Sequence, residues 1–414
     1  MEQQKLWTRD FTIITLGSAV SMFGNSMAGF ALSLFVLDYT DSSFLYALVI
    51  ALFTLPQLIM PIFSGAILDR FSRRKTIYML DFMSSALFAC VCILFLAGVF
   101  NYGILIVYVL ILGSIMAVYM VAYQSFYPLL ITKGNYSKAY SIASVLETLS
   151  ALMVPAAAFL YNRIGIAPLL MINAVCFFIA ACMETQISAK EEYIDRQKET
   201  RDKRLSSGRQ MLADVKEGFS YLASEKGLLA IAVFFTFTAF AGGASTVIGL
   251  PYFKRTYLHG EYIYMLVMGM TIVGRMIGGL IHYRKKLPVN KKFAIAFAVY
   301  IIIAVTEGSY LFFPIPAMMG LCFLTGILGV TSYTIRISAT QHYVPDEKKG
   351  RFNGAFNMMN TVGSFTGELL AGAVAVVIAP RFVMAGFFAI NLLAALVIIG
   401  SQRNHVKKIY NTQQ

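Results

Sequence analysis

Apolar runs broken by short polar stretches make up almost the whole chain. They cover about 11–37, 44–68, 77–100, 102–131, 138–161, 166–187, 228–250, 261–281, 293–313, 315–340, 351–379 and 382–401. Each is long enough to cross a bilayer core, which takes about 20 helical residues. A spanning helix satisfies its own backbone hydrogen bonds, so the pattern predicts an all-α membrane protein of twelve transmembrane helices. An even number of spans puts both termini on one side. The longest break, 187–227, is dense in Lys, Arg, Asp and Glu, and within it Met211, Val215, Phe219 and Leu222 share one helical face. That stretch reads as an interfacial amphipathic helix or as a solvated linker with one amphipathic turn. The expected organisation is therefore an N-terminal six-helix half (1–186), a cytosolic linker (187–227) and a C-terminal six-helix half (228–414).

The two halves repeat. A shift of 213 residues carries Gly65 onto Gly278, each at the end of an apolar run and just before a basic loop, and carries Ser137-Lys138 onto Gly350-Arg351. Two pseudo-symmetric six-helix halves are the parallel-repeat plan of a secondary transporter, whose substrate site lies between the halves near the midplane.

Composition sharpens this picture. Hydrophobic residues make up 58% of the chain and charged ones 13%, which excludes an ordinary soluble globule. The net charge of +13 would suit a nucleic-acid binder if it were clustered. Alternating the sides from a cytosolic loop at Arg70 instead puts 28 of the 34 Lys and Arg residues on the cytosolic side and four outside (Arg163, Lys254, Arg255, Arg381). The positive-inside rule accounts for that split without a polyanionic partner. The expected setting is the cytoplasmic (inner) membrane of a bacterium, multi-pass, with both termini cytosolic. Lys5 and Arg9 precede an apolar stretch too long for a signal-peptide core, so the first span is read as uncleaved. All five cysteines fall in apolar runs and suggest neither a disulfide frame nor a metal site.

Five ionisable residues are read as lying deep within the spans: Glu147, Arg275, Glu307, Arg336 and Glu368. A central Arg or Lys costs about 2.5–3.5 kcal/mol even on lenient insertion scales, so such residues face a cavity or one another. Glu307 and Arg336 lie where they could also snorkel from span ends. If protons drive transport, one of Glu147, Glu307 and Glu368 must carry them, and Glu368 is the first choice. Aromatic stripes recur at helical spacing: Tyr119, Tyr123 and Tyr127 with Gln124 on span 4, and Phe234, Phe237 and Phe240 on span 7. Such stripes suit either packing or the wall of a cavity for a large, mostly apolar substrate. The sequence holds no metalloprotease, nucleophile-elbow or P-loop motif, so neither enzyme chemistry nor direct ATP use is expected, and no cofactor or metal. The expected partners are a small-molecule substrate, the lipid bilayer and protons, with the chain acting as a monomer.

The loop Gly65-Ala66-Ile67-Leu68-Asp69-Arg70-Phe71-Ser72-Arg73-Arg74-Lys75 resembles the signature loop between helices 2 and 3 of the major facilitator superfamily. Ser21-Met22-Phe23-Gly24-Asn25-Ser26 in span 1, Asp81 in span 3, and Gln341-His342-Tyr343-Val344-Pro345-Asp346-Glu347 before Gly350-Arg351 are similar to bacterial drug, macrolide and siderophore exporters. The resemblance implies efflux of an amphipathic small molecule by alternating access, with a lipid flippase or solute importer as the alternative. It also implies a conformational latch of Gly65, Asp69, Arg70, Arg73, Asp81, Gly350 and Arg351, in which Asp69 meets the start of helix 11 near Gly350–Asn353. Asn25 joins the span 4 and span 7 aromatics as cavity lining. In this superfamily spans 5 and 8 pack together, which implies a Glu147–Arg275 ion pair. Two departures bear on antiport: span 5 keeps only Pro155 of the glycine-proline element that many antiporters carry, and His282 stands where the first loop has Asp69.

Overall fold

A computed structural model describes residues 5–68, 72–132, 153–189, 207–284 and 287–411, with positions 135, 139, 142, 143, 146, 149 and 150. Among these residues all regular structure is helical. The helices are α1 (Arg9–Thr40), α2 (Ser43–Leu68), α3 (Arg73–Leu96), α4 (Tyr102–Phe126), α5 (Met153–Ile164), α6 (Ile166–Glu184) and α7 (Ser207–Ser224). They continue as α8 (Lys226–Thr256), α9 (Gly260–Arg284), α10 (Lys292–Ser309), α11 (Ile315–Tyr343), α12 (Asp346–Val374), α13 (Pro380–Ala394) and α14 (Arg403–Tyr410). A π-helical turn, Ala395–Ile399, extends α13.

Ten of the helices are long and apolar enough to cross a membrane. The remaining two spans are α5, the described part of span 5, and α12, which is too polar to register by composition. Together they make twelve transmembrane helices in two pseudo-symmetric halves. Helix starts follow local chemistry. Thr8, Ser72 and Asn101 cap α1, α3 and α4 by accepting from the backbone N–H of Phe11, Lys75 and Ile104 at 3.2, 3.1 and 3.0 Å.

Helix α12 departs from expectation. It begins at Asp346, with Pro345 in an extended conformation before it, and not at about 351. Proline ends the preceding helix, and Asp346 and Glu347 favour the positive end of the new one. Gly350–Asn353 therefore lie in its second turn. Amides that far into a helix bond within it, and even in the first turn the Lys348 amide donates to the Pro345 carbonyl at 2.9 Å.

Two compact units emerge, one of Met1–Asp41 and Leu52–Met211, the other of Ser42–Ala51 and Leu212–Gln414. In the first, Phe11, Ile14, Ile77, Phe126 and Tyr127 form a core at the Arg9 end of α1, and α6 packs closely on both α3 and α1. In the second, Leu228, Ile231, Phe234, Tyr300, Ile335, Phe352 and Phe356 pack with Val406, Ile409 and Tyr410 of α14. The internal repeat shows in close helix crossings. Gly113 of α4 lies against the Phe53 carbonyl of α2, and Gly326 of α11, 213 residues on, lies against the Thr271 carbonyl of α9. Neither site has room for a Cβ, which is the small-residue packing of membrane helices.

Helix α3 shows the inverted amphipathicity that lipid imposes. Met79, Met83, Cys90 and Ile93 are exposed along one stripe, while Asp81, Ser84 and Ser85 lie on the buried face.

Candidate functional site

The α2–α3 loop comes first. Asp69, Arg70 and Phe71 lie outside the described residues. The neighbouring cations act as helix caps: Arg73 donates to the Ser125 carbonyl at the end of α4, 3.0 Å away, and Arg74 donates to the Ile187 carbonyl just after α6. Carbonyls at helix C-termini carry partial negative charge, so the guanidinium groups both pair with them and fix the ends of three helices. Asp10 of α1 adds to this by accepting from the Ser188 backbone N–H at 3.0 Å.

Asp81 lies deep in the first unit, 1% exposed, with Glu184 of α6 within hydrogen-bonding reach. Glu184 is fully buried and sits against Gly17 of α1. Sequence reading placed Asp81 beside the loop latch and missed Glu184, which closes an apolar run and reads as its boundary. Tyr119 and Tyr123 of α4 stack 5.9 Å apart, and Ser18 of α1 donates to the Tyr123 hydroxyl at 3.2 Å.

The cavity candidates divide. Tyr127 is buried and donates to the Ala139 carbonyl at 3.0 Å. Phe234 is buried with its ring 4.6 Å from that of Tyr300. Both are core packing in this structure, because their surfaces are already filled by neighbours. Phe240 stacks on Phe387 at 4.7 Å, while Asn25, Tyr119, Tyr123, Phe237 and Gln124 keep accessible surface.

Among the intramembrane charges, Glu147 lies outside the described residues. Arg275 of α9 is within electrostatic reach of Glu307 of α10, a pairing that sequence spacing did not suggest. Arg336 is held among rings: its guanidinium carbon lies 4.7 Å from the Phe356 ring, 4.9 Å from Phe235 and 5.5 Å from Tyr333. It is thus caged by α8, α11 and α12, and does not extend to water from a span end. Beside it Tyr300 and Tyr410, both buried, share a hydroxyl hydrogen bond of 2.7 Å. Glu368 is 4% exposed and accepts from Ser364, one turn earlier, at 3.0 Å.

Helix α12 carries a polar stripe, Asn353, Asn357, Asn360, Ser364 and Glu368, at helical spacing. Polar side chains on one face of a spanning helix avoid lipid and line protein or water. At its start Arg351 pairs with Glu217 of α7, and Lys348 sits 4.6 Å over the Tyr221 ring. Leu222 is buried, and Tyr343 donates to Glu225 at 3.1 Å. The amphipathic helix of the linker is thus docked on the α11–α12 turn, not merely solvated.

A family model for the Major Facilitator Superfamily matches residues 14–368. An uncharacterised MFS-type transporter of Bacillus subtilis, YkuC, is 22% identical over 91% of this chain and 86% of its own length. Macrolide efflux protein A of Streptococcus pyogenes is 22% identical over 69% of this chain and 70% of its own. The crystal structure of a point mutant of the nucleoside transporter NupG superposes with a TM-score of 0.68 at 12% identity. It covers 95% of this chain and 99% of that one.

Proposed function

The chain belongs to the Major Facilitator Superfamily, and on that footing we propose that it is a secondary transporter exporting an amphipathic or lipophilic small molecule of the macrolide or siderophore type. The observation that carries this reading is the similarity to macrolide efflux protein A over 69% of the chain. The accessible Tyr119 and Tyr123 rings supply apolar faces with polar edges, which suit such a substrate. The polar stripe of α12 supplies a face that water or substrate can wet. Proton antiport from the cytoplasmic membrane is part of the proposal, with both termini in the cytosol. The α2–α3 loop, with Asp69, Arg70 and Arg73, is the proposed cytosolic latch element, and Glu147, Glu307 and Glu368 remain candidate coupling groups.

The test is accumulation of a labelled macrolide in cells lacking their own efflux systems. Expression of the chain should lower accumulation several-fold, and a protonophore should abolish the difference. Accumulation that rises on expression would reverse the direction, to import. Accumulation unchanged across macrolides, siderophores and lipophilic drugs would remove this substrate class.

A further inference from the structure

The first unit contains a buried acid pair with no counter-cation among the described residues. Asp81 on α3 and Glu184 on α6 are 1% and 0% exposed, and their carboxyl groups lie within hydrogen-bonding reach of each other. Tyr119 of α4 is within electrostatic reach of both carboxyls, and beside it Tyr123 accepts from Ser18 of α1. Ser84, one turn along α3 from Asp81, and Thr15, one turn before Ser18, are buried, and their hydroxyl oxygens have no partner among the described residues. The same holds for both oxygens of Glu184 and one of Asp81. Spacing of three residues puts Ser84 on the same side of α3 as Asp81.

The nearest ionic groups are committed elsewhere. From α3, Arg73 and Arg74 donate to the carbonyls of Ser125 and Ile187, and from α1, Asp10 binds Ser188. From α4 the titratable groups are Tyr119 and Tyr123. From α6 there is Glu184 alone, the last residue of its helix, where the terminal carbonyls add further negative charge.

Two carboxylates in contact and out of water cannot both stay ionised, and a hydrogen bond between two carboxyl groups needs a proton on one of them. We propose that Asp81 and Glu184 form a single proton-binding site of the N-terminal half, holding one shared proton while the pocket is closed. Tyr119, part-buried, is the wall through which water reaches the pair; when it moves, the proton passes to that water and the pair is left doubly ionised until it is reprotonated. This names a coupling site for the proposed transport, distinct from Glu147, Glu307 and Glu368. Its test needs no substrate, so it can fail while export stands, and the reverse.

The experiment is pH-difference infrared spectroscopy of the purified full chain in liposomes, following the C=O stretch of protonated carboxyl groups. The wild type should lose one such band as pH rises. Asp81→Asn and Glu184→Gln should each shift its midpoint, and the double variant should lack the band. Size-exclusion profile and helical circular dichroism identify folded protein. Should the double variant not insert, the midpoints of the near-isosteric single variants carry the test. A band that survives in the folded double variant, or one that vanishes in Glu368→Gln instead, would overturn the assignment. So would single-variant midpoints equal to that of the wild type. A midpoint that moves with sodium chloride but not with choline chloride would make the pair a sodium site and overturn it likewise.

Discussion

At the scale of single residues, the membrane makes each polar group account for its partners, and Arg336 shows one solution. Three aromatic rings surround its guanidinium at 4.7–5.5 Å. A desolvated cation–π contact is worth about 2 kcal/mol. Arg336→Gln should therefore lower the melting temperature of the purified protein by several degrees, and Arg336→Lys should recover part of that, since it keeps the charge but not the flat stacking face. Equal stability of all three proteins, measured by intrinsic fluorescence or light scattering on heating, would mean the cage is incidental. Arg336 was legible in the sequence as a costly residue, but its partners were not. Phe235, Tyr333 and Phe356 come from three helices, and spacing along one chain does not say which rings converge. Glu184 was illegible for another reason. An acid at the edge of an apolar run looks like the edge of the membrane, and only the position of α6 against α1 and α3 shows it to be buried. The aromatic stripes misled in part for the same cause: Tyr127 and Phe234 share helical faces with Tyr123 and Phe237, yet they meet packed neighbours.

Elements are held by different amounts, and magnitudes say which contacts matter. Helix α7 is attached by the Arg351–Glu217 pair and by burial of Leu222. The ion pair is solvent-exposed on both sides, at 38% and 52%, and exposed pairs contribute about 0–1 kcal/mol. Burying a leucine side chain contributes about 1.5–3 kcal/mol. Limited proteolysis separates the two. Leu222→Asp should expose α7 to cleavage several-fold faster, whereas Arg351→Glu should change the rate less than about threefold. The reverse ranking would mean that charge, not burial, docks the helix. The Met211, Val215, Phe219 and Leu222 periodicity announced a helix with an apolar face; at Phe219 and Leu222 it meets the cluster of Val344 and Phe352 about the α11–α12 turn, which local sequence does not encode. The start of α12 was more legible than its expected position allowed. Val344-Pro345-Asp346-Glu347 is a strand-like step, a helix stop and an acidic first turn, all of which point to Asp346.

For the whole molecule, orientation in the membrane is the property on which the functional reading most depends, since export and latch both need the α2–α3 loop in the cytosol. The span count and the repeat were legible because a bilayer leaves few choices: backbone groups must be paired inside helices, and a 213-residue shift restores both Gly65 to Gly278 and Gly113 to Gly326. Orientation follows from the cost of carrying cations across. An inverted chain would have to translocate the nine Lys and Arg residues of 187–227 as well as the Arg70, Arg73, Arg74 and Lys75 cluster, while the proposed one translocates only four. Two exposed positions on opposite sides decide it: Ser224, the last residue of α7, and Leu258, 87% exposed between α8 and α9. With the five native cysteines replaced by alanine, Leu258→Cys should react with a membrane-impermeant maleimide in intact cells. Ser224→Cys should react only once the cells are opened. Labelling of Ser224→Cys from outside would place the linker and both termini on the outer face, and the efflux proposal would then lose its direction even if every helix contact described above stood.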